Sequence, residues 1–289
     1  MATEIAIVSG KGGTGKTTIA AAFAALSQNV VTADCDVDAP DLHILLQPET
    51  KKTEEFQSSK VALIDPEKCT ECGLCEEKCR FEAIHAPEVN AIACEGCGVC
   101  AYVCPEAAVQ MGPRTSGFLY ESTTRFGPMS HAKLLPGEGN SGKLVTEVRR
   151  QAQELARKNG QDITLIDGSP GIGCPVIATV SGIKLGVIVT EPTMSGIHDM
   201  ERVMALLERF RVHTMVLVNK YDLNPENTHR IEQICTEKGA DFLGMIPYDS
   251  VTTESMVAAK TLPEFVPDHR ITQLLKSMWS KITEVALSE

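Results

Sequence analysis

Residues 4–18 read EIAIVSGKGGTGKTT, a short apolar run followed by a glycine-rich stretch with the pattern G-x-x-x-x-G-K-[ST]. In this pattern backbone N–H groups close around phosphates, the final lysine neutralises them, and the hydroxyl binds magnesium. The pattern positions are filled by Gly10, Gly15, Lys16 and Thr17. Lys11 is an additional cation that the pattern does not require. The stretch predicts a strand, a phosphate-binding loop and a helix, in that order.

Apolar runs alternate with helical patterns along most of the chain. We expect helices at 17–26, 141–158 and 196–210 and after Pro225, and strands at 30–34, 163–167, 185–190, 214–219 and 241–246. Continuous apolar strands separated by helices are typical of a parallel sheet covered on both faces. The sequence therefore predicts an α/β fold with a mostly parallel sheet and the glycine-rich loop at its carboxyl edge.

The composition limits the possible partners. The 289 residues carry a formal net charge of −11, with a pI near 5.2. This acidity argues against a sequence-independent nucleic-acid binder, which needs a basic surface. No apolar run reaches about 18 residues, and the start MATEIAIVSG lacks the features of a signal peptide. We expect a cytoplasmic protein with no nucleic-acid partner and no stable membrane insertion.

Acidic residues follow two of the predicted strands. TADCDVDAPDLH contains Asp34, Asp36, Asp38 and Asp41, and LIDGSPGIGCP contains Asp167 at the end of a buried strand. Magnesium prefers oxygen ligands and retains several waters. We therefore expect Thr17 to bind it directly and Asp167 to act through water. The alternative is that these acids only cap loops, although a buried carboxylate at Asp167 needs a partner.

Eight of the eleven cysteines fall between Cys69 and Cys104. The segments CTECGLCEEKC and CEGCGVCAYVC begin 25 residues apart, and each has the spacing C-x-x-C-x-x-C-x-x-x-C. In a reducing compartment such cysteines favour metal binding over disulfides. Three cysteines at this spacing hold one 4Fe–4S cluster while the fourth reaches the other cluster. The predicted ligand sets are Cys69, Cys72, Cys75 and Cys104 for the first cluster, and Cys79, Cys94, Cys97 and Cys100 for the second.

Three motifs, GKGGTGKTT, DCDVDAPDL and IDGSPGIG, occur in this order and together resemble the MinD-type ATPases. This branch of P-loop proteins includes the chromosome-partitioning ATPases and the nitrogenase iron protein. The segments VNKYD and IPYDS, at 218–222 and 246–250, are similar to the family's base-side segments. The resemblance covers the chain apart from about residues 60–140. It implies ATP and magnesium as ligands and ATP hydrolysis as the activity.

The resemblance also implies roles for individual residues. The implied ATP-binding set is Gly10, Lys11, Gly12, Gly13, Thr14, Gly15, Lys16, Thr17, Thr18 and Asn219; the implied magnesium set is Thr17, Asp36 and Asp167. Asn219 lies against adenine, and Lys11, Lys16 and Asp36 are catalytic, with Asp36 positioning the attacking water. In this family the early lysine, here Lys11, contacts the phosphates of the neighbouring subunit, which implies a homodimer. The alternative is that Lys11 adds charge to its own loop.

The cysteine-rich segment looks like a bacterial two-cluster ferredoxin over residues 60–112. We expect it to be an inserted domain, with the ATPase domain formed by residues 1–59 and 113–289. Arg80 stands where the ferredoxin pattern usually has proline, and we expect its side chain to face solvent.

The remaining cysteines and the last helix receive structural interpretations. Cys35 and Cys235 are expected to be small buried residues. Cys174 begins a helix before Pro175, and helix capping or packing is favoured over a cluster ligand like that of the nitrogenase iron protein. The pattern ITQLLKSMWSKITEVA, 271–286, predicts a helix that docks on the sheet rather than on a membrane.

Together these features predict an ATP-hydrolysing homodimer that gates low-potential electron transfer from two 4Fe–4S clusters to a partner protein. One alternative is an iron–sulfur cluster carrier, which delivers clusters to acceptor proteins. Such carriers typically have a C-terminal C-x-x-C, whereas this chain has only Cys235 in that region. Two further alternatives are a positioning ATPase with structural clusters and an amide-forming relative, for which the sequence provides no glutaminase domain.

Overall fold

The computed structural model describes residues 2–288, which divide into two compact units. The larger unit comprises Met1–Thr53, Leu119–Lys133 and Ser141–Glu289, and the smaller unit comprises Glu54–Phe118 and Leu134–Asn140. The smaller unit contains all eight clustered cysteines. It extends beyond the expected segment 60–112 at both ends, because the long strands that flank the cysteines contribute residues to both units.

Eleven strands and eleven α-helices are formed by residues 2–288. The strands are β1 Thr3–Ser9, β2 Val30–Asp34, β3 Glu49–Ile64, β4 Ile84–His85, β5 Glu88–Val89, β6 Val109–Thr124, β7 Gly127–Leu134, β8 Ile163–Pro170, β9 Leu185–Thr190, β10 His213–Asn219 and β11 Asp241–Ile246. The helices are α1 Lys16–Leu26, α2 Leu42–Leu46, α3 Leu74–Glu77, α4 Val99–Val103, α5 Ser141–Asn159, α6 Cys174–Val180, α7 Met194–Arg209, α8 Pro225–Lys238, α9 Val251–Val257, α10 Leu262–Phe265 and α11 Arg270–Leu287.

Nine strands form one sheet in the order β11-β10-β9-β1-β8-β2-β7-β6-β3, and β4 pairs with β5. From β11 to β7 every pairing is parallel. Strand alternation sends Ile5 and Ile7 of β1 into a core shared with α1 and α11. Helices α5, α6 and α7 pack on β2, β8 and β9. The predicted α/β fold with a mostly parallel sheet is confirmed.

Five strands were not predicted: β3, β6 and β7 of the large sheet, and the two-residue strands β4 and β5. β3 reads ETKKTEEFQSSKVALI and is last in the strand order, with mostly exposed side chains. Charged side chains are what natural edge strands carry, because they discourage pairing with other chains. β6 contains Gly112, Pro113 and Gly117, which interrupt any apolar run. These strands therefore lack the apolar pattern that identified the central strands.

The last helix, α11, is part of the core of the larger unit. Ile271, Leu275, Met278 and Ile282 are buried there. The ring of Trp279 stacks on Phe23 of α1, with ring centroids 5.2 Å apart. The apolar face of the helix is thus covered by the protein, as the sequence predicted. No helix among residues 2–288 combines the length and apolar character needed to cross a membrane.

Candidate functional sites

The glycine-rich loop connects β1 to α1 and packs tightly against a neighbouring strand end. Gly15 has φ 88° and immediately precedes the first residue of α1. A Cβ at Gly15 would lie 2.5 Å from Nδ2 of Asn219. The same Nδ2 donates a hydrogen bond to the carbonyl of Thr14 at 2.8 Å. Glycine is therefore required at position 15 both for its backbone conformation and for the close approach of β10.

A cavity of about 450 Å³ lies over this loop. It is lined by these residues of the predicted ATP-binding and magnesium sets: Gly12, Gly13, Thr14, Gly15, Lys16, Thr17, Thr18, Asp36 and Asn219. Gly10, Lys11 and Asp167 do not line it. Tyr248 and Asp249 do, and they belong to the IPYDS segment identified from the sequence. Met256 of α9 also lines the cavity, with its sulfur 3.6 Å from the Thr18 hydroxyl; no sequence motif pointed to Met256.

Lys16 and Asp167 form a buried ion pair beneath the cavity. Nζ of Lys16 lies 2.5 Å from Oδ1 of Asp167, and the two side chains are 6% and 1% exposed. Burial lowers the pKa of Lys16, but nearby carboxylates, Asp167 above all, outweigh burial and raise the pKa above its ordinary value. The Lys16 side chain therefore stays protonated although it is buried away from solvent.

Asp34 lies opposite Asp167 on the adjacent strand and is fully buried. Burial raises the pKa of Asp34 well above its usual range, and the charge of Asp167 adds to the shift. Its carboxylate oxygens accept hydrogen bonds from the amides of Asp36, at 3.1 Å, and Leu42, at 3.3 Å. Asp34 thus binds the loop between β2 and α2, as the loop-capping alternative describes.

The other acids of this segment differ in their surroundings. Asp36 is partly buried on the cavity wall. Burial raises the pKa of Asp36 to about 6, with Lys16 opposing the shift and Asp167 adding to it. Asp41 also lines the cavity, whereas Asp38 is exposed and does not. Asp36 therefore combines a place on the cavity wall with partial burial and a raised pKa.

Two buried oxygens near the loop lack hydrogen-bond partners within residues 2–288. They are Oδ2 of Asp167 and Oγ1 of Thr14. An unpaired buried carboxylate oxygen is costly unless a cation or donor satisfies it. Asp167 therefore does not act as a loop cap. Its free oxygen, with the Thr17 hydroxyl 3.4 Å from the Lys16 ammonium, fits the oxygen donor set that magnesium prefers.

Lys11 contacts its own chain away from the cavity. Its Nζ lies 3.2 Å from Oγ1 of Thr193, 3.3 Å from Oγ of Ser195 and 3.5 Å from Oε2 of Glu191. Glu191 also pairs with Lys220, at 2.5 Å. Lys11 is thus held at the start of α7 rather than over the loop that carries it.

The first predicted cluster site coincides with one cavity of the smaller unit. Cys69, Cys72 and Cys75 of the first repeat line it together with Cys104 of the second. The remaining lining is largely apolar and includes Ile64 and Val109. A cubane binds each thiolate at a different iron, so its ligands need not converge on one point. No three His, Cys, Asp or Glu residues in 2–288 converge on a single metal ion.

Three cysteines of the second predicted set, Cys79, Cys94 and Cys100, belong to the same small core, whereas Cys97 is exposed. Cys75 and Cys100 are buried in it, and Cys79, Cys94 and Cys104 pack against it half-buried. Burial raises the pKa of both Cys75 and Cys100, and neighbouring cysteines add to each shift. Grouped thiolates in such a place need compensating positive charge, which a metal cluster supplies.

The two repeats share backbone features that point N–H groups at sulfur. The amide of Ala83 donates to Sγ of Cys79 at 3.4 Å, and the amide of Ala108 donates to Sγ of Cys104 at 3.3 Å. Positive φ angles recur at the same 25-residue offset, at Glu71 and Gly96, Gly73 and Gly98, and Glu82 and Ala107. Such amide bonds are among the features that tune iron–sulfur clusters. The donor set therefore fits 4Fe–4S clusters.

Cys35, Cys235 and Arg80 lie where the sequence suggested, whereas Cys174 is exposed rather than packed. Cys35 and Cys235 are buried, and burial raises the pKa of both thiols. Cys174 is exposed in the first turn of α6, followed by Pro175. Arg80 is exposed.

The Lys16–Asp167 pair gives a stability prediction. Lys16→Met should leave the buried Asp167 without a cation and lower the free energy of unfolding of the nucleotide-free protein by about 3 to 5 kcal/mol. Adding Asp167→Asn should restore much of that loss. Anaerobic denaturant unfolding, followed by the fluorescence of Trp279 in the larger unit, measures both. Lys51→Met, at an exposed pair with Glu49, is the control and should cost less than about 1 kcal/mol. A Lys16→Met loss no larger than this control would contradict the prediction.

Comparisons with known proteins bear on these sites. Residues 5–262 match the family model described as the CobQ/CobB/MinD/ParA nucleotide binding domain. An uncharacterized protein of Methanocaldococcus jannaschii is 37% identical over 227 residues, which are 78% of this chain and 80% of the relative. An iron-sulfur cluster carrier protein of Pyrococcus horikoshii is 24% identical over 271 residues, 87% of this chain and 76% of the relative.

Two more similarities concern a shorter segment and the fold. The pyruvate synthase subunit PorD of Thermotoga maritima is 39% identical over 64 residues, 20% of this chain and 64% of that protein. The structure of the septum site-determining protein MinD of Pyrococcus horikoshii with Mg-ADP superposes with a TM-score of 0.62 at 18% identity, covering 99% of this chain and 98% of that one. The family match over residues 5–262, together with the loop geometry, shows that the chain belongs to the CobQ/CobB/MinD/ParA nucleotide-binding family and is a P-loop ATPase of the MinD/ParA type.

Proposed function

We propose that ATP binding and hydrolysis in the larger unit control one-electron transfer from two 4Fe–4S clusters in the smaller unit to a partner protein. The observation that carries this proposal is that Cys104, from the second repeat, lines the same cavity as Cys69, Cys72 and Cys75. Exchange of the fourth ligand between repeats is the pattern of two-cluster ferredoxins. Cys79 would then complete the set of Cys94, Cys97 and Cys100. The clusters supply low-potential one-electron chemistry, and the similarity to PorD supports their presence.

The nucleotide roles follow from charge and burial. Lys16 would neutralise the phosphates, and the free oxygen of Asp167 would hold magnesium through water, with Thr17 as the direct ligand. Asp36 lines the cavity and has a pKa of about 6. Near pH 7 it is mostly ionised, so it can accept a hydrogen bond from the attacking water. Asn219, fixed on the loop, would lie beside the base.

Lys11 is the residue that would link two subunits. Lys16 already serves the phosphates of its own cavity, which the Lys11 side chain does not reach. The part-buried hydroxyl of Thr193, the exposed hydroxyl of Ser195 and the carboxylate of Glu191 hold Lys11 at the start of α7. These contacts are weak enough to exchange for the phosphates of a partner. We therefore propose an ATP-dependent homodimer in which Lys11 acts across the two-fold axis.

Contacts at the end of α2 would transmit the nucleotide state. The chain runs from Asp36 through α2 into β3, which continues into the smaller unit. The β6–β7 turn carries Arg125, whose guanidinium donates to the carbonyls of Leu45 and Leu46 at 2.7 and 2.8 Å. Arg125 also pairs with Glu264 at 2.5 Å. The two strands that lead to the smaller unit are therefore both attached to α2, so a shift in the Asp36 loop would reach both.

An iron–sulfur cluster carrier is the second candidate. The cluster carrier protein of Pyrococcus horikoshii, similar over 271 residues, favours it. The residue that separates the candidates is Cys235, the one cysteine of the C-terminal region. It is buried in α8, so it is not placed to bridge a labile cluster. This observation favours electron transfer.

Cluster content and ligand exchange can be tested together. Anaerobically purified protein should contain about eight iron and eight sulfide per chain, four of each per cubane. Cys79→Ser with Cys97→Ser should retain about four iron, because both residues bind the second cluster. Cys79→Ser with Cys72→Ser should lose nearly all iron, because each cluster then lacks one ligand. The opposite pattern would refute the exchanged ligands, and zinc without sulfide would refute the clusters.

The role of Lys11 can be tested by mixing subunits. Lys11→Ala should still bind ATP through Lys16 and the loop amides but lack hydrolysis, and Asp36→Ala should bind and dimerise without turnover. A mixed dimer has one site with an intact Asp36 that receives Lys11 from the other subunit. ATPase activity should therefore recover partly on mixing. Activity equal to the sum of the separate variants would show that Lys11 acts within its own chain.

Coupling is tested by the reduction potential. A coupling of about 1 to 3 kcal/mol between nucleotide and reduction corresponds to roughly 45 to 130 mV for a one-electron centre. Asp36→Ala protein with ATP and magnesium should differ from its ADP form by a shift of that order in an anaerobic titration followed by EPR. Lys16→Ala, which should not retain nucleotide, is the control. If the ATP and ADP forms have equal reduction potentials in protein shown to bind ATP and dimerise, ATP does not gate the clusters and their role is structural.

A further inference from the structure

The smaller unit exposes large apolar side chains unevenly. Those more than one-third exposed are Leu63, Phe81, Ile92, Val99 and Tyr102. Tyr102 is 91% exposed and Ile92 is 83% exposed. All except Leu63 lie within two residues of a cysteine assigned to the second cluster, although Tyr102 is equally near Cys104 of the first. Exposed apolar groups that collect around one centre mark an interaction site more often than scattered ones do.

Comparison of the two repeats shows that two of these positions are apolar in the second repeat alone, whereas Val99 corresponds to Leu74. At the 25-residue offset, Tyr102 corresponds to Glu77 and Ile92 to Glu67, and both glutamates are exposed. The same backbone therefore carries acids in one repeat and apolar groups in the other. The surroundings of the two clusters have diverged although their ligand spacing has not.

The residues that follow the fourth cysteine of each repeat also differ between the two predicted clusters. Phe81 follows Cys79, which is assigned to the second cluster. The corresponding residue, Glu106, follows Cys104 and lines the cavity of the first cluster. The side chains beside the first cluster are thus acidic at three places where those beside the second are apolar.

Helix α4 presents part of this apolar surface. Val99 and Tyr102 are three residues apart and share one face of the helix. Both are exposed, whereas Cys100 between them is buried. Cys97, just before the helix, is exposed. A molecule on this face would therefore lie next to a ligand of the second cluster.

One cation adjoins the apolar groups. Arg80 is exposed next to Cys79, and it forms no ion pair or hydrogen bond within residues 2–288. The corresponding residue of the second repeat is Pro105. In a chain with net charge −11, an unpaired arginine among apolar side chains complements an apolar partner surface that carries a carboxylate.

We propose that Phe81, Ile92, Val99, Tyr102 and Arg80 form the docking surface for a redox partner protein, and we name it the second-cluster surface. This inference rests on the proposed function. The partner has an apolar face with at least one carboxylate beside its own redox centre. One electron leaves this chain at the second cluster and reduces the partner's centre by one electron, with no bond made or broken. Apolar burial drives the association, so salt weakens it little.

Two matched double variants test the surface in the full chain. Ile92→Glu with Tyr102→Glu places the first-repeat residues on the second-cluster surface, and Glu67→Gln with Glu77→Gln changes the acids beside the first cluster. The neutral planar oxidant duroquinone, whose ring has no free position for thiol addition, should oxidise the reduced Ile92→Glu/Tyr102→Glu protein about fivefold or more slowly than wild type, because apolar contact is lost. The Glu67→Gln/Glu77→Gln protein should match wild type. Equal rates in all three proteins, or slowing by the glutamine pair, would overturn the proposal.

A protein partner is tested by anaerobic capture from extract of the source cells on the immobilised full chain. The expected result is a protein with its own redox centre that oxidises the reduced chain. High salt should leave it bound, and the Ile92→Glu/Tyr102→Glu pair should release it, while the glutamine pair should not. No such protein, or one released by the glutamine pair, would overturn the proposal. Self-association of wild type that the glutamate pair abolishes would instead assign the surface to a second copy.

The iron content distinguishes a failure of the docking proposal from a failure of the proposed function. Both double variants replace exposed side chains, so each should retain about eight iron per chain. If the docking tests fail in protein with full iron content, only the docking role of the second-cluster surface is refuted. If the purified wild-type chain contains no iron and no sulfide, the proposed function itself is refuted.

Discussion

The buried ion pair between Lys16 and Asp167 is the interaction on which the larger unit depends. Asp34, Asp36 and Asp167 all lie within electrostatic reach of the Lys16 ammonium. Without that cation, fully buried carboxylates would meet at adjacent strand ends, where burial already raises the pKa of Asp34. Triphosphate and magnesium would take over both partners, since Lys16 can turn to phosphate while Asp167 turns to the metal. The nucleotide would therefore replace an internal ion pair rather than fill a neutral cavity.

This exchange explains how a small ligand could move distant residues. The carboxylate of Asp34 accepts hydrogen bonds from two backbone amides of the following segment, and the first of them is the amide of Asp36. A change in the charge balance around Asp34 therefore acts on the same loop that ends in α2. The carbonyls at the end of α2 are bound by Arg125. Hydrogen bonds and chain connections within the larger unit would therefore link the phosphate site to the strands β3 and β6.

The sequence predicted those parts of the structure whose chemistry is local. The glycine-rich loop, the central apolar strands and the docking of α11 follow from residue types and periodicity, because each buries its own apolar side chains. The edge strand β3 could not be found in this way, since its side chains are polar and exposed. The contact of Lys11 with Glu191 was also beyond reach, because it joins residues 180 positions apart whose types are common in loops. Asp34 illustrates a different limit: its motif was recognised, but only the geometry shows that it binds loop amides while Asp167 keeps a free oxygen.

The arrangement of the cysteines bears on what the protein would transfer. A cluster carrier must release its cargo, so its ligands are best placed at an exposed, separable edge. Here Cys75 and Cys100 belong to the core of the smaller unit, and the fourth cysteine of each repeat receives an amide hydrogen bond from the residue four positions later. Releasing either cluster would disrupt that core and leave its buried thiols without compensating charge. An electron, in contrast, can leave without moving any ligand, and the exposed Cys72 and Cys97 bring both predicted clusters to the surface. The packing of the cysteine ligands would retain the clusters in the protein. It therefore favours transfer of electrons over transfer of clusters.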